Sequence, residues 1–396
     1  MLYLCHRIPY PPNKGDKIRS FHWLKGLAES FDIYLGTFVD DENDWQYVDH
    51  LKQFCAEVYV QKLEPKKAKL KSLLGLVTGE PLTIPYYKNK SMQTWLDGVL
   101  EREKVDNILV FSSSMVQYID RPKDSDYLRV VDFVDMDSDK WMQYAENKSW
   151  PVSWIYQREA SKLLEYEQTT ARSFNKSLFV SSKEAELFST KLQDQSVQVD
   201  YVNNGVDTNY FSVSDEFASP YQENEKVIVF TGAMDYWANV DAVKWFASEI
   251  FPDVKRENCA LRFVIVGSKP THEVLNLQAI DGVSVTGFVD DVRPYIMHAD
   301  LVVAPMRIAR GIQNKVLEAM SMGKNVLVSP QGFEGIDAQP GRDLTLLHSK
   351  QEWILKVIEV VNSPEGDMGK HARDCVVAKY SWKSNIAKLL LCFEGK

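Results

Sequence analysis

Short apolar runs alternate with amphipathic stretches along the whole chain. A stretch of helical period follows each run of the N-terminal half, as at 16–30, where Ile18, Phe21, Leu24 and Leu27 recur on one face. This alternation predicts βαβ units and a parallel sheet. The apolar runs predicted as strands in this half are 32–39, 56–61, 107–113, 128–134 and 176–182.

The same pattern restarts after a polar interruption at 212–226. Its runs are apolar throughout and lack the alternation of an antiparallel sheet, so we expect helices on both faces of a second parallel sheet. The predicted strands are 227–232, 261–267, 283–289, 300–305 and 325–330. The sequence therefore predicts an α/β protein with two Rossmann-like domains in tandem, whose ligands bind in a cleft at the carboxyl ends of the strands.

Composition narrows the function classes. A chain of 396 residues with 45% apolar and 12% aromatic residues can fill two cores, and its formal net charge of −9 argues against nucleic acid as a partner. The five cysteines and seven histidines show no spacing typical of a disulfide framework or a metal site. We therefore expect no obligatory metal. No apolar run approaches the roughly 18 residues of a membrane span, so we expect a cytoplasmic protein.

The turn at 304–320 carries the strongest candidate chemistry. Arg310 and Gly311 are predicted to open a helix there. The backbone N–H groups of Ile312, Gln313 and Asn314, with the positive end of the helix dipole, would form a phosphate site.

One carboxylate, Glu318, lies on this helix three residues after Lys315. Two interpretations remain open for it. It forms an intrahelical salt bridge with Lys315, or it accepts hydrogen bonds from the two hydroxyls of a ribose.

Two stretches in the expected order carry a resemblance to a known family. "GIQNKVLEAMSMGKNVLVS" (311–329) resembles the donor-binding signature of retaining glycosyltransferases of family four, and "VNNGVDTNYF" (202–211) looks like the interdomain segment of that family. Further stretches are similar to a bacterial subgroup of sugar transferases associated with exopolysaccharide and exosortase gene clusters. They are 7–20, 131–141, 231–246 and 285–296.

The resemblance implies the GT-B architecture. It implies an N-terminal acceptor-side domain at 1–203, a nucleotide-sugar-binding domain at 204–380, and a last helix at 381–396 that crosses back to the first domain. The substrates would be a UDP- or GDP-linked sugar and a glycan or lipid-linked acceptor, with no cofactor. The implied donor-binding residues include Gly232, Glu318 at the ribose, and Phe288 and Val289 at the base. The alternative for Phe288 is packing in the core.

The chain departs from the family pattern at three places. Arg310 stands where the family usually has a first glutamate, no cation follows the first strand of the second domain, and the cleft-edge histidine of the N-terminal domain has no clear counterpart. We therefore expect Arg310, as a catalytic residue, and Lys315 to neutralise the diphosphate. The alternative is that Arg310 recognises an acidic donor sugar such as a uronic acid.

The N-terminal half adds two groups of candidates. Lys14, Lys17 and Arg19 crowd the start of a helix, where the dipole disfavours cations unless an anion is near, so Gly15 and Arg19 are predicted at the donor phosphates. Four aspartates, at 132, 135, 137 and 139, lie at the end of one strand and the start of a helix. Among them Asp135 is assigned to catalysis and Asp135 and Asp137 to the acceptor side. Helix capping and ion pairing are the alternatives.

A basic amphipathic stretch at 64–80 combines four lysines with leucines. It indicates peripheral contact with the inner face of the cytoplasmic membrane, or it is a solvated surface helix. A sugar-nucleotide epimerase and a non-catalytic nucleotide-binding scaffold remain as alternatives to the transferase. A nicotinamide dehydrogenase is disfavoured because no G-x-G-x-x-G follows the first strand of either half.

Overall fold

The chain folds into two compact units. The computed structural model describes residues 1–12, 15–119, 127–146, 148–309, 311–363 and 366–394. The N-terminal unit comprises Met1–Asn204 and Asn385–Lys396, and the C-terminal unit comprises Gly205–Ser384. Among the described residues, no helix is both long enough and apolar enough to cross a bilayer.

The N-terminal unit is built on a parallel sheet of seven strands in the order β3-β2-β1-β4-β5-β6-β7. Adjacent strands pair in parallel, as Leu2 to Cys5 do with Tyr34 to Thr37. The strands are β1 (Leu2–Cys5), β2 (Tyr34–Val39), β3 (Glu57–Lys62), β4 (Asn107–Phe111), β5 (Leu128–Val134), β6 (Lys176–Phe179) and β7 (Val199–Tyr201).

Helices connect these strands. They are α1 (Gly15–Leu27), α2 (Val48–Leu51), α3 (Pro65–Ser72), α4 (Gly75–Thr78), α5 (Thr83–Tyr87), α6 (Lys90–Arg102), α7 (Asp137–Glu146), α8 (Val152–Ser173) and α9 (Ser182–Leu192). Short 3-10 turns cover Glu42–Tyr47 and Ser113–Tyr118.

The C-terminal unit has a parallel sheet of six strands in the order β10-β9-β8-β11-β12-β13. The strands are β8 (Lys226–Thr231), β9 (Leu261–Val266), β10 (Val283–Val285), β11 (Leu301–Ala304), β12 (Val326–Val328) and β13 (Thr345–Leu346). The helices are α10 (Trp237–Trp245), α11 (Phe251–Glu257), α12 (His272–Asn276), α13 (Arg293–Met297), α14 (Asn314–Ser321), α15 (Pro330–Phe333), α16 (Lys350–Asn362), α17 (Met368–Tyr380) and α18 (Trp382–Leu391), which runs into the residues of the other unit.

The predicted parallel α/β architecture is confirmed in both units. Each of the ten apolar runs overlaps a strand. A run buried on both faces, as in β4, carries a strong signal, whereas β3 is only half-buried. The segment 316–329 shows the same agreement. Val316, Leu317, Met320 and Ser321 are fully buried, and Gly323 ends α14 with a φ of +67° that favours glycine.

The predicted inner face of α1 is partly wrong. Ile18 is only half-buried, whereas the charged side chains of Lys17 and Arg19 are buried together with Phe21 and Leu24. Hydrophobic periodicity misses this face because the two cations meet carboxylates inside the unit.

Candidate functional site

A pocket of about 500 Å³ opens in the C-terminal unit. It lies at the carboxyl ends of β8, β9 and β10 and at the start of α14, which is the edge where parallel α/β sheets bind ligands. Its lining residues are Phe211, Thr231, Gly232, Ala233, Val266, Gly267, Ser268, Phe288, Val289, Val292, Ile312, Asn314, Lys315 and Glu318.

The structure brings most of the predicted donor-binding residues of this unit together in that pocket. They are Gly232, Phe288, Val289, Ile312, Asn314, Lys315 and Glu318. Gly311 and Gln313 adjoin the pocket residues in the chain but do not line it. Arg310 lies outside the described residues.

The predicted start of the phosphate-binding helix is wrong. α14 begins at Asn314, so Gly311 does not open it, and Ile312 and Gln313 precede its first turn. Gly311 has a φ of +65°, and its carbonyl accepts a hydrogen bond from Gln313 Nε2 at 3.1 Å. The positive end of the helix dipole therefore lies at Asn314 and Lys315, both of which line the pocket.

The ammonium group of Lys315 lies at the floor of the pocket. It donates to Asn239 Oδ1, and it stands 4.5 Å from the centre of the Phe230 ring and 3.9 Å from Met306 Sδ. A Cβ placed on Gly232 would lie 3.4 Å from Lys315 Nζ. No cation directly follows β8 in the sequence. In the structure Lys315 of α14 places its ammonium group at that position.

The Glu318 carboxylate has no hydrogen bond or ion pair within the described part of the chain. The intrahelical salt bridge with Lys315 is therefore wrong, because the ammonium group bonds to Asn239 instead. Burial raises the pKa of Glu318 to about 7, although the Lys315 charge opposes this shift. Burial also lowers the pKa of Lys315 to about 8, against the Glu318 charge. Within the described part of the chain neither group forms an ion pair, and burial disfavours the charge on each, as suits a site that a polar ligand completes.

The raised pKa of Glu318 predicts a pH-dependent stability difference. The folded state holds the proton up to about pH 7 and the unfolded chain only to about 4.5, so the carboxylate costs stability as pH rises through that window. Glu318→Gln lacks this loss, which is about 3 kcal/mol at most. We expect the thermal unfolding midpoint of Glu318→Gln minus that of the wild type to increase as the pH is raised from about 5 to about 8. A constant difference, as expected for the exposed control Glu273→Gln, would contradict the desolvation of Glu318.

Several pocket residues were missed by the sequence analysis. Gly267 ends β9 as Gly232 ends β8, and a Cβ on Gly267 would collide with the Gly232 carbonyl oxygen. A glycine directly after two neighbouring apolar runs was the available signal. Asn239, which holds Lys315 and also donates to the Ala233 carbonyl at 2.9 Å, has no sequence signal because its contacts are tertiary.

Phe288 does not pack in the core. Its side chain is 74% exposed and lines the pocket, so the core alternative is wrong. Gly287, with a φ of +71°, ends the strand region just before it. An exposed aromatic ring at a pocket rim offers a flat apolar face to a ligand.

Arg19 is enclosed by protein groups, which contradicts its assignment to the donor phosphates. The side chain is fully buried; its Nε and Nη2 donate to the Asp132 carboxylate at 2.6 and 3.2 Å, and Nη1 donates to the Val202 carbonyl at 2.6 Å. Its guanidinium also lies 4.1 Å from the Trp23 ring centre. Every side of the group is occupied by protein.

Lys17, the other buried cation of α1, also pairs with a carboxylate of the protein. Lys17 Nζ donates to Asp44 at 2.6 Å, so protein carboxylates supply the anions that the sequence analysis attributed to a ligand. Lys14 lies outside the described residues. Gly15 is the exposed first residue of α1 in the N-terminal unit and does not line the pocket.

The aspartates in β5 and in the residues that follow it have cationic partners. Asp132 pairs with Arg19, Asp135 receives Lys140 Nζ at 2.7 Å, and Asp137 lies 3.4 Å from the same ammonium. Asp135 and Asp137 remain partly exposed. Desolvation raises the pKa of Asp137 despite the lysine. Ion pairing thus explains much of the cluster, and the acceptor role of Asp135 and Asp137 stays a prediction.

A family model describes the unit that holds the pocket. Residues 225–363 match the model of "Glycosyl transferases group 1". The matched segment lies within the C-terminal unit, Gly205–Ser384. It includes every residue that lines the pocket apart from Phe211. No curated protein matches the chain in sequence.

Solved structures resemble the chain over almost its whole length. The sucrose-phosphate synthase of Thermosynechococcus elongatus has a TM-score of 0.67 at 14% identity, over 99% of this chain and 98% of that one. Anabaena Alr3699/HepE, solved with UDP, has a TM-score of 0.65 at 14% identity over the same shares. WaaG, a glycosyltransferase of lipopolysaccharide biosynthesis, has 0.62 at 15% over 100% of both chains. These likenesses show that the two Rossmann-like units form a GT-B fold.

Proposed function

We propose that the protein is a retaining glycosyltransferase of family four that uses a nucleotide-diphosphate sugar. The observation that carries the proposal is that Glu318 and Lys315 line one pocket within the segment that matches the group 1 model, and that the Glu318 carboxylate has no partner among the described residues. A carboxylate without donors suits the paired hydroxyls of a ribose, and an ammonium at a helix start suits phosphate. The structure of Alr3699/HepE with UDP supports a UDP-linked donor, with GDP as the second candidate.

The proposed acceptor is a glycan or lipid-linked precursor of a bacterial exopolysaccharide. The reaction takes place in the cytoplasm, at the inner face of the cytoplasmic membrane, where lipid-linked acceptors lie. Asp135 and Asp137 are proposed on the acceptor side. The WaaG likeness at full coverage is consistent with surface-glycan synthesis but rests on fold alone.

The proposed mechanism places charge stabilisation on α14. As the sugar leaves, negative charge grows on the diphosphate, and Lys315 with the first N–H groups of α14 stabilises that charge. Asn239 fixes the ammonium at the end of β8. The departing phosphate oxygen accepts the acceptor proton, so no separate base and no metal is required in this scheme. Arg310 is proposed to share in neutralising the diphosphate, or to recognise an acidic sugar.

Glu318→Ala is expected to weaken nucleotide binding selectively. Calorimetric titration with UDP, GDP and ADP, with and without magnesium, should show one nucleotide bound by the wild type. The substitution should weaken that binding, and lower kcat/KM for the matching donor, by about 1 to 3 kcal/mol, because it removes charged hydrogen bonds to the ribose.

Glu273→Ala is the matched control, because it removes an exposed carboxylate of the same domain that pairs with Lys244. Its affinity should equal that of the wild type. Unchanged affinity in Glu318→Ala would remove Glu318 from the site, and the absence of binding to any nucleotide would favour a scaffold. Turnover of the donor to an altered sugar nucleotide, without acceptor, would indicate an epimerase.

A further inference from the structure

Exposed apolar side chains are concentrated in two segments of the N-terminal unit. Ten of the 22 large hydrophobic side chains exposed among the described residues lie at 70–77 and 142–154, far more than scattered exposure would place there. We call them the exposed apolar surface: Leu70, Leu73, Leu74, Leu76, Val77, Met142, Tyr144, Trp150, Val152 and Trp154. Val77 is 88% and Trp150 80% exposed, so neither takes part in a core.

Hydrogen bonds join the two segments. Arg158 Nη2, on α8, donates to the carbonyls of Gly75 at 2.5 Å and Glu80 at 3.2 Å. Trp154 lies one turn before Arg158 on the same face of α8.

Glu159 holds the chain after α4. Its buried carboxylate accepts hydrogen bonds from the N–H groups of Leu82 at 2.7 Å and Thr83 at 3.1 Å. These bonds hold α4 and the chain after it against α8, so the leucines next to Gly75 and Trp154, one turn before Arg158, belong to neighbouring parts of a surface that is held in place.

The charge next to this surface is positive. Lys66, Lys67, Lys69 and Lys71 lie on α3, and residues 65–79 contain no acidic residue although the whole chain has a net charge of −9. Glu64 pairs with Lys67 at 2.8 Å, and Lys71 donates to the Lys88 carbonyl at 2.5 Å. The cluster complements an anionic partner.

We propose that the exposed apolar surface inserts into the headgroup region of a bilayer that contains anionic lipids. Leucines on one side, tryptophan and tyrosine at the interface and lysines at the edge are the composition that binds such a layer. The proposal gives the membrane location proposed above a defined surface of contact. It rests on residues outside the donor pocket, so either proposal can fail without the other.

Vesicle sedimentation tests the surface. The full-length protein should sediment with vesicles of phosphatidylcholine and phosphatidylglycerol, less with phosphatidylcholine alone, and less at high salt. Val77→Asp combined with Trp150→Ala should lower vesicle affinity by about tenfold or more. Lys66→Glu combined with Lys69→Glu should remove the preference for anionic vesicles. All four side chains are exposed, so the variants should fold.

Leu355→Asp is the matched control, since it adds the same charge at a 59% exposed leucine of the C-terminal unit. It should bind vesicles as the wild type does. The proposal would be overturned if the wild-type protein did not bind anionic vesicles, or if the surface variants bound them as the wild type does. So would a concentration-dependent dimer, seen by sedimentation velocity, that the Val77 and Trp150 substitutions abolish without any vesicle binding. Nucleotide titration of the same variants, expected unchanged, separates this result from a failure of the donor site.

Discussion

Arg19→Met is expected to destabilise the N-terminal unit by about 3 to 5 kcal/mol, because it leaves the buried Asp132 carboxylate without its counter-ion. The Val202 carbonyl also loses its donor. For a unit of this size the unfolding midpoint should fall by about 10 °C or more. Differential scanning calorimetry and circular dichroism of the purified variant measure the change.

A double variant keeps this prediction testable if the single one fails to fold. Arg19→Met with Asp132→Leu replaces the buried pair by apolar groups, which is often neutral in other proteins, and should recover most of the lost stability. Nucleotide affinity of each folded variant should equal that of the wild type. A folded variant of normal stability whose nucleotide binding is lost would restore Arg19 to the donor phosphates.

Lys315→Met is expected to lower kcat by about 10²- to 10³-fold, the usual loss when a donor to developing negative charge is removed. The ammonium contributes most when the diphosphate carries its full charge, so KM should change less than kcat. Release of nucleoside diphosphate from the sugar nucleotide identified by calorimetry measures both constants.

Lys244→Met is the control for Lys315→Met, because it removes an exposed lysine of the same unit that pairs with Glu273. Asn239→Ala should give a smaller loss than Lys315→Met, since the ammonium remains but is no longer held by the amide oxygen. A kcat for Lys315→Met close to the wild-type value would assign Lys315 a structural role only.

The fold was predictable wherever burial alone determines a segment. Strands covered on both faces are apolar throughout, and α14 shows its inner face and its glycine stop in the sequence. The inner face of α1 was not predictable, because Lys17 and Arg19 are buried only by virtue of Asp44 and Asp132, which come from distant parts of the chain. A charge normally indicates the outer face of a helix, and only tertiary pairing reverses that rule.

The candidate site was predictable where neighbours in sequence share it. Lys315 and Glu318 stand one turn apart on α14, so spacing places them together. The spacing alone did not show whether the two side chains form a salt bridge. In the structure the Lys315 ammonium donates to Asn239, a residue 76 positions away. The true start of α14 was missed because Gly311, with its positive φ, belongs to the preceding turn and not to the helix.

The close approach of Gly267 to the Gly232 carbonyl bears on any attempt to change, by engineering, the preference for the proposed donor. Any residue larger than glycine at 267 forces the ends of β8 and β9 apart, so this part of the pocket is closed to variation. Phe211, Phe288 and Val292 also line the pocket, and none of them lies at the ends of β8 and β9. Libraries directed at those three positions leave the strand ends intact, and selection there is the route to a new sugar or base preference.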